Sequence, residues 1–215
     1  MRIAIYDLDN TLTRRATFTP FLIFAAWRIA PWRLALLPVW VAMMIGYRAG
    51  LYDRTILKTA GMKLMVGKVR IATLQEVGRE FADRRVADDG LMPATLALLE
   101  EDRRQGARIA IATAAFEFYA AAFAKHLDID TVIGTRWDGR SIVGGNCYGE
   151  TKLARVRAWA AEQNHQLEDA EFRFVSDSFA DAPLLDLADE PIFISASSRK
   201  REKAKARGWR IISAD

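Results

Sequence analysis

Ile3-Ala4-Ile5-Tyr6-Asp7-Leu8-Asp9-Asn10-Thr11-Leu12-Thr13 sets a short apolar run directly before a turn that carries two carboxylates. The run reads as a buried strand. Open α/β sheets bind their ligands in the crevice beyond the carboxyl ends of such strands. Residues two apart on an extended segment point the same way, so Asp7 and Asp9 face one site. Clustered acids repel unless something positive lies between them, which makes a hard divalent cation their natural third party. Taken alone, an acidic turn after a strand serves equally as a helix cap or a solvated loop.

Moving outward, Glu171-Phe172-Arg173-Phe174-Val175 is a second strand running into acids, Ser176-Asp177-Ser178-Phe179-Ala180-Asp181. Between the two, Gly106 precedes Ala107-Arg108-Ile109-Ala110-Ile111-Ala112, a strand that delivers the Thr113 hydroxyl at its end. Gly149-Glu150-Thr151-Lys152 then opens an amphipathic helix with a lysine in its first turn. Periodicity predicts strands at 2–6, 108–112, 131–135, 171–175, 191–195 and 209–213. Helices are predicted at 92–105, 115–126, 151–163, 180–187 and 198–207, with a turn-rich hairpin through 150 and a mostly helical insertion from 14 to 89. Strands alternating with helices imply an α/β fold with a doubly wound, mainly parallel sheet. Each polar residue also has a plainer role: Asp177 and Asp181 as helix caps, Lys152 as a solvated charge, Thr113 as a hydroxyl bonded to backbone.

In order and character, the Asp7-x-Asp9-x-Thr11 turn, the strand-end Thr113, the helix-borne Lys152 and the pair Asp177 and Asp181 resemble the four motifs of the haloacid dehalogenase (HAD) superfamily of phosphatases. The insertion between the first two motifs resembles the phosphoserine-phosphatase-like subfamily (subfamily IB). Ile133-Gly134-Thr135 and Gly144-Gly145-Asn146-Cys147-Tyr148-Gly149-Glu150 add to the likeness. Asn10 and Ser176 depart from it, standing where relatives commonly have Gly.

The resemblance implies a HAD-like core at 1–13 and 90–215, a helical cap at 14–89, and hydrolysis of a phosphomonoester through an aspartyl-phosphate. It makes Asp7 the nucleophile and Asp9 the general acid and base. Asn10, Thr113 and Lys152 are the phosphate contacts, and Mg²⁺ is held by Asp7, Asp177 and the main-chain carbonyl of Asp9. Asp181 and Ser178 are supporting residues, Asp181 either backing the metal shell or orienting Lys152.

The chain has 215 residues, 51% of them apolar, enough for one core plus an insertion. Cys147 is the single cysteine, so no intrachain disulfide forms and a reducing, cytoplasmic setting is expected. His126 and His165 are isolated and with one cysteine make no usual zinc site.

The insertion is apolar from Phe18 to Tyr47, yet its longest uncharged run, Leu34 to Tyr47, falls short of the roughly 18 residues of a spanning helix. Cleavage beyond it as a signal peptide would remove Asp7 and Asp9. Trp27, Trp32 and Trp40 beside Arg28 and Arg33 suit a membrane interface. The net charge of +4 and the basic stretch Arg199 to Arg207 favour anionic lipid. The expectation is therefore a lipid or apolar phosphomonoester, met through peripheral contact of 18–47 with the cytoplasmic face of the inner membrane; the subfamily resemblance supplies phosphatidylglycerophosphate as an example. A packed cap serving a small polar metabolite such as phosphoserine, or a homodimer interface, are the alternatives. Nucleic acid is not expected, because the basic stretch carries no binding motif.

Overall fold

The computed structural model describes residues 1–214. A seven-stranded sheet is built from β1 (Arg2–Tyr6), β2 (Arg108–Phe116), β3 (Thr131–Trp137), β4 (Ile142–Val143), β5 (Glu171–Ser176), β6 (Glu190–Ile194) and β7 (Arg210–Ile212), in the spatial order β4-β3-β2-β1-β5-β6-β7. Neighbours are parallel except in the β3–β4 hairpin. The chain winds one way from β1 through β2 and β3, then restarts on the other side of β1 at β5. That reversal between β1 and β5 is where a doubly wound sheet opens a ligand crevice, and both acidic turns lie there.

Alternation along β1 divides the interior. Ile3 and Ile5 join Ala110, Ala112, Phe172, Phe174 and Phe193 on the face covered by α7 (Glu150–Glu162) and α8 (Ala182–Leu185). Ala4 and Tyr6 join Ile111, Val175 and Ile192 on the opposite face, under α5 (Pro93–Arg104) and α6 (Glu117–His126). The same α5 braces the two acid-bearing strands. Its buried Asp102 accepts from the Tyr6 hydroxyl on β1 and, at 2.8 Å, pairs with Arg173 on β5.

Between β1 and β2 the chain forms α1 (Phe18–Ile29), α2 (Leu37–Arg48), α3 (Arg54–Gly61) and α4 (Ile71–Ala87). Phe21 of α1 stacks on Tyr119 of α6 at 4.7 Å and meets Phe81 of α4 edge-on. Phe21, Leu22, Trp40 and Phe81 belong to the same buried cluster as Tyr6, Phe116 and Phe123, so these helices continue the core of one sheet face. Among the described residues no helix is long and apolar enough to cross a membrane.

Two local expectations are corrected. β2 does not stop at Ala112; it runs to Phe116 with its register shifting between Ala112 and Phe116, so Thr113 lies inside the strand. Alanine-rich sequence favours helix there, but pairing of Phe116 with Thr135 keeps it extended, and α6 starts at Glu117. Trp40 does not join Trp27 and Trp32 on the outside. It is 1% exposed, packs edge-on against Phe18, and fills the space that a Cβ on Gly61 would need, while Trp27 and Trp32 are 46% and 66% exposed.

Trp40→Ala is accordingly expected to cost about 3–5 kcal/mol of unfolding free energy, as for a large aromatic deleted from a core. Trp32→Ala should stay within about 0.5 kcal/mol. Denaturant titration of both variants checks the contrast.

Candidate active site

β1 pairing with β5 extends one step past the strand, because the Asp7 amide donates to the Val175 carbonyl at 2.9 Å. The chain then turns sharply. Asp9 stays extended and Asn10 takes the left-handed region (φ 55°, ψ 14°), which Asn enters at lower cost than most residues. This turn, the end of β5, Thr113 of β2 and the start of α7 enclose a cavity of about 140 Å³. Asp7, Asp9, Asn10, Thr113, Lys152, Asp177, Ser178 and Asp181 all line it, so the candidate catalytic, phosphate, metal and supporting residues read from the sequence converge on one place. A larger open groove of about 780 Å³ lies along α4, α6 and β3, but none of the strand-end acids reaches it.

Lys152 organises the interior of the site. Gly149, at φ 55°, provides the turn that starts α7 and sets Lys152 in its first turn. The buried ammonium donates to Asp7 Oδ1 at 2.9 Å and to Asp181 Oδ2 at 2.7 Å. Burial opposes its charge, but Asp181 and Asp7 outweigh that effect and hold it above the ordinary lysine range. Burial pushes the Asp7 carboxyl up to about 7, with Lys152 opposing and Asp181, Asp177 and Asp9 reinforcing. Burial also raises Asp177, to about 6, against the pull of Lys200.

Further residues shape the site from outside the sequence motifs. Asp9 Oδ1 accepts from the backbone amide of Thr17 at 2.7 Å and from its hydroxyl at 2.6 Å, which fixes the carboxylate against the start of α1. Ser176, met in the sequence only as a departure from Gly, donates to Asp181 Oδ2 at 2.7 Å and accepts from the Ser178 amide. From the insertion, Arg54 lies 4.8 Å over the Tyr148 ring, and both line the cavity beside Ala16 and Ala114. Asp53 caps α3 by accepting from the Ile56 amide, so that Arg54 enters on an ordered first turn. Nothing local in the sequence marks Thr17 or Arg54. Tyr148 sits in the Gly-rich stretch that does stand out.

A magnesium ion fits the donor chemistry present. Among the described residues no three His, Cys, Asp or Glu side chains form a ready cage. Magnesium takes one or two carboxylates and fills its octahedron with carbonyl, water and phosphate oxygens, and Asp7, Asp177 and the Asp9 carbonyl are such a set. Asp181 Oδ1 is buried without any hydrogen-bond partner, an acceptor left open for a donor such as a metal-bound water. The burial-raised Asp7 and Asp177 likewise call for added positive charge.

Comparison with known proteins gives a family match across most of the chain. Residues 4–186 match the model of the haloacid dehalogenase-like hydrolases. Protein CicA of Caulobacter vibrioides is 32% identical over 165 residues, covering 72% of this chain and 71% of that protein. Phosphoserine phosphatase SerB1 of Mycobacterium tuberculosis is 29% identical over 148 residues, covering 66% of this chain and 47% of its own length. A crystal structure of a protein with unknown function from Bordetella pertussis superposes with a TM-score of 0.85 at 28% identity, covering 100% of this chain and 99% of that one.

The raised carboxyls give a pH signature. In chelator the folded protein holds protons on Asp7 and Asp177 up to about pH 7 and 6, whereas the unfolded chain releases them near 4. Their contribution to stability therefore falls as pH rises through that window. Magnesium held by the ionised carboxylates would offset the loss, so the rise in Tm on adding Mg²⁺ should be larger at pH 8 than at pH 5. A shift that does not change with pH counts against the metal assignment; differential scanning fluorimetry reads it.

Proposed function

The chain belongs to the haloacid dehalogenase-like hydrolase family, and we propose that it is a magnesium-dependent phosphomonoester hydrolase working through an aspartyl-phosphate. The observation that carries this reading is the buried Lys152 bridge, which sets Asp7 in a small cavity shared with Asp9, Thr113 and Asp177. An Asp7 carboxylate oxygen attacks phosphorus as the bond to the leaving oxygen breaks, and Asp9 protonates that oxygen. Water then attacks the phosphorus of the aspartyl-phosphate, Asp9 takes its proton, and phosphate leaves with the Asp7 carboxylate restored. Thr17, bonded twice to Asp9, aims it for both transfers. Asn10, Thr113 and Lys152 offer donors to the phosphoryl oxygens, where charge spreads in the transition state. Bound at Asp7, Asp177 and the Asp9 carbonyl, magnesium would neutralise phosphoryl charge. Residues 14–89 serve as the cap over a core of 1–13 and 90–215, with Asp181 and Ser178 supporting the metal side.

For substrate we favour a lipid or otherwise apolar phosphomonoester, met at an anionic membrane surface. The cavity is small, so we place the phosphoryl group in it and an acyl chain outside it. The outer face of the insertion suits that arrangement. Trp27, Trp32, Val39, Val41, Ile45 and Leu51 are exposed there. From Asn10 to Tyr52 the chain holds no Asp or Glu but has Arg14, Arg15, Arg28, Arg33 and Arg48. Arg54, which makes no ion pair among the described residues, suits a leaving group with a second anionic group, as in phosphatidylglycerophosphate. The same small cavity supports a second reading, a small polar phosphomonoester such as phosphoserine.

Asp7→Asn should lower turnover by roughly a thousandfold or more and abolish the trapped covalent phosphate, with the fold retained. Asp9→Asn should lose on the order of a hundred- to ten-thousandfold, since both proton transfers depend on it. Near-normal turnover in Asp7→Asn, or full activity in chelator, removes the mechanism.

The lipid reading predicts co-sedimentation with phosphatidylglycerol-containing vesicles. Replacing Trp27 and Trp32 by Ser should weaken it while hydrolysis of a small soluble phosphomonoester is unchanged. Absence of vesicle binding returns the choice to a small polar substrate, and a dimer in solution that covers both tryptophans assigns the face to a second copy.

A further inference from the structure

Lys58 is a buried cation that the proposed chemistry leaves unused. It projects from α3 of the insertion, is 3% exposed, and makes no ion pair among the described residues. Its ammonium donates to the Ala114 carbonyl and, at 2.9 Å, to Asn146 Oδ1, and lies 4.3 Å from the centre of the Phe116 ring. An unpaired charge in such a place is costly, and burial lowers its pKa to about 7.

Its partner carbonyl lies at a particular place. The register shift in β2 between Ala112 and Phe116 takes the peptides around Thr113 out of the regular ladder, so they need other partners. In the Ala114–Ala115 peptide, the carbonyl accepts from Lys58 and lies 2.8 Å from the Thr135 hydroxyl, whose one hydrogen it shares with Asn146 Oδ1, and the amide donates to Thr113 Oγ1 at 3.0 Å. One peptide plane therefore joins the insertion's lysine on one edge to the Thr113 hydroxyl on the other. Donors on the carbonyl strengthen the amide as a donor in turn. Thr113 Oγ1 is thereby held as an acceptor, and among the described residues its own O–H has no acceptor, while the side chain lines the cavity.

We propose that Lys58 is a positioning residue for phosphoryl recognition: by fixing the Ala114–Ala115 peptide it fixes Thr113 so that the hydroxyl donates into the cavity. Seating of α3 against the sheet then completes the phosphate site as well as covering it. The proposal rests on the reading of this cavity as the phosphoryl site.

A double-mutant cycle tests it, with inorganic phosphate as a competitive inhibitor of the magnesium-loaded enzyme and thermal unfolding in parallel. Thr113→Val should weaken phosphate on the order of tenfold, as for loss of a hydrogen bond to a charged group. Lys58→Met should weaken it several-fold, acting through KM more than kcat, and any fall in Tm from the acceptors it leaves open on Ala114 and Asn146 is read in parallel. Lys58→Gln, one atom shorter, should show the same loss. The double variant Lys58→Met, Thr113→Val should be no weaker than Thr113→Val alone by more than about twofold, since both changes remove one interaction. Wild-type phosphate inhibition in either Lys58 variant, or fully additive losses, overturns the proposal and leaves the site reading standing. Undiminished phosphate inhibition in Thr113→Val overturns both.

Discussion

A buried ammonium held between two buried carboxylates, Lys152 between Asp7 and Asp181, is the contact on which the rest of the site depends. It joins three segments far apart in sequence: the turn after β1, the turn after β5 and the first turn of α7. Such a cluster is poor at stabilising a fold, because desolvation consumes most of the attraction. Breaking it from one side is severe, typically about 3–5 kcal/mol, because a charge is left buried alone. The arrangement therefore gives geometric definition more than stability. Burial displaces two of the acids that share the cavity, Asp7 and Asp177, upward.

The sheet makes that cluster geometrically cheap. Because β1 is flanked by β2 and β5, three of the four motifs leave adjacent parallel strands at the same edge, and only Lys152 has to arrive on a helix. Asp102 braces β1 to β5 through Tyr6 and Arg173, so the two acidic turns hold a fixed spacing. Below them, alternation along β1 commits each face to its own set of helices, and a slip of one residue would turn both sets of side chains over.

This explains what could be read from the chain. The alternation of strands and helices, the central acidic turn and the convergence of Asp7, Thr113, Lys152 and Asp177 were legible, because a parallel sheet brings its strand ends together whatever the intervening lengths. Thr17, Arg54 and Lys58 were not, since their placement depends on how α1 and α3 pack across the sheet, a tertiary matter with no local pattern. Ser176 read as a mild misfit until its hydroxyl was seen on Asp181. The end of β2 was missed because Ala114 and Ala115 favour helix, and only pairing with β3 overrides that preference. Trp40 looked like Trp27 and Trp32 because an apolar run with no strong polar face does not say which side is covered. Gly61, which clears room for Trp40, was the signal available.

The insertion places positive charge in two layers that do different work. Arg54 and Lys58, four residues apart on α3, share one helical face turned toward the sheet, at the cavity and behind Thr113. The outer arginines lie on a segment with no acid from Asn10 to Tyr52, so the segment cannot neutralise itself. Some of that charge is answered internally: Arg28 pairs with Glu80 of α4, and Arg33 binds the carbonyls of Lys63 and Leu64 and so ties the segment before α2 to the segment after α3. Arg48 has no such partner among the described residues and stands exposed beside the apolar residues. Charge of this kind reaches only about 8 Å at physiological ionic strength, so it acts on what lies directly against that face. Arg33 ties this outer face to the segment that directly follows α3, the helix that carries Arg54 and Lys58, so the two layers of charge belong to one connected piece of the insertion.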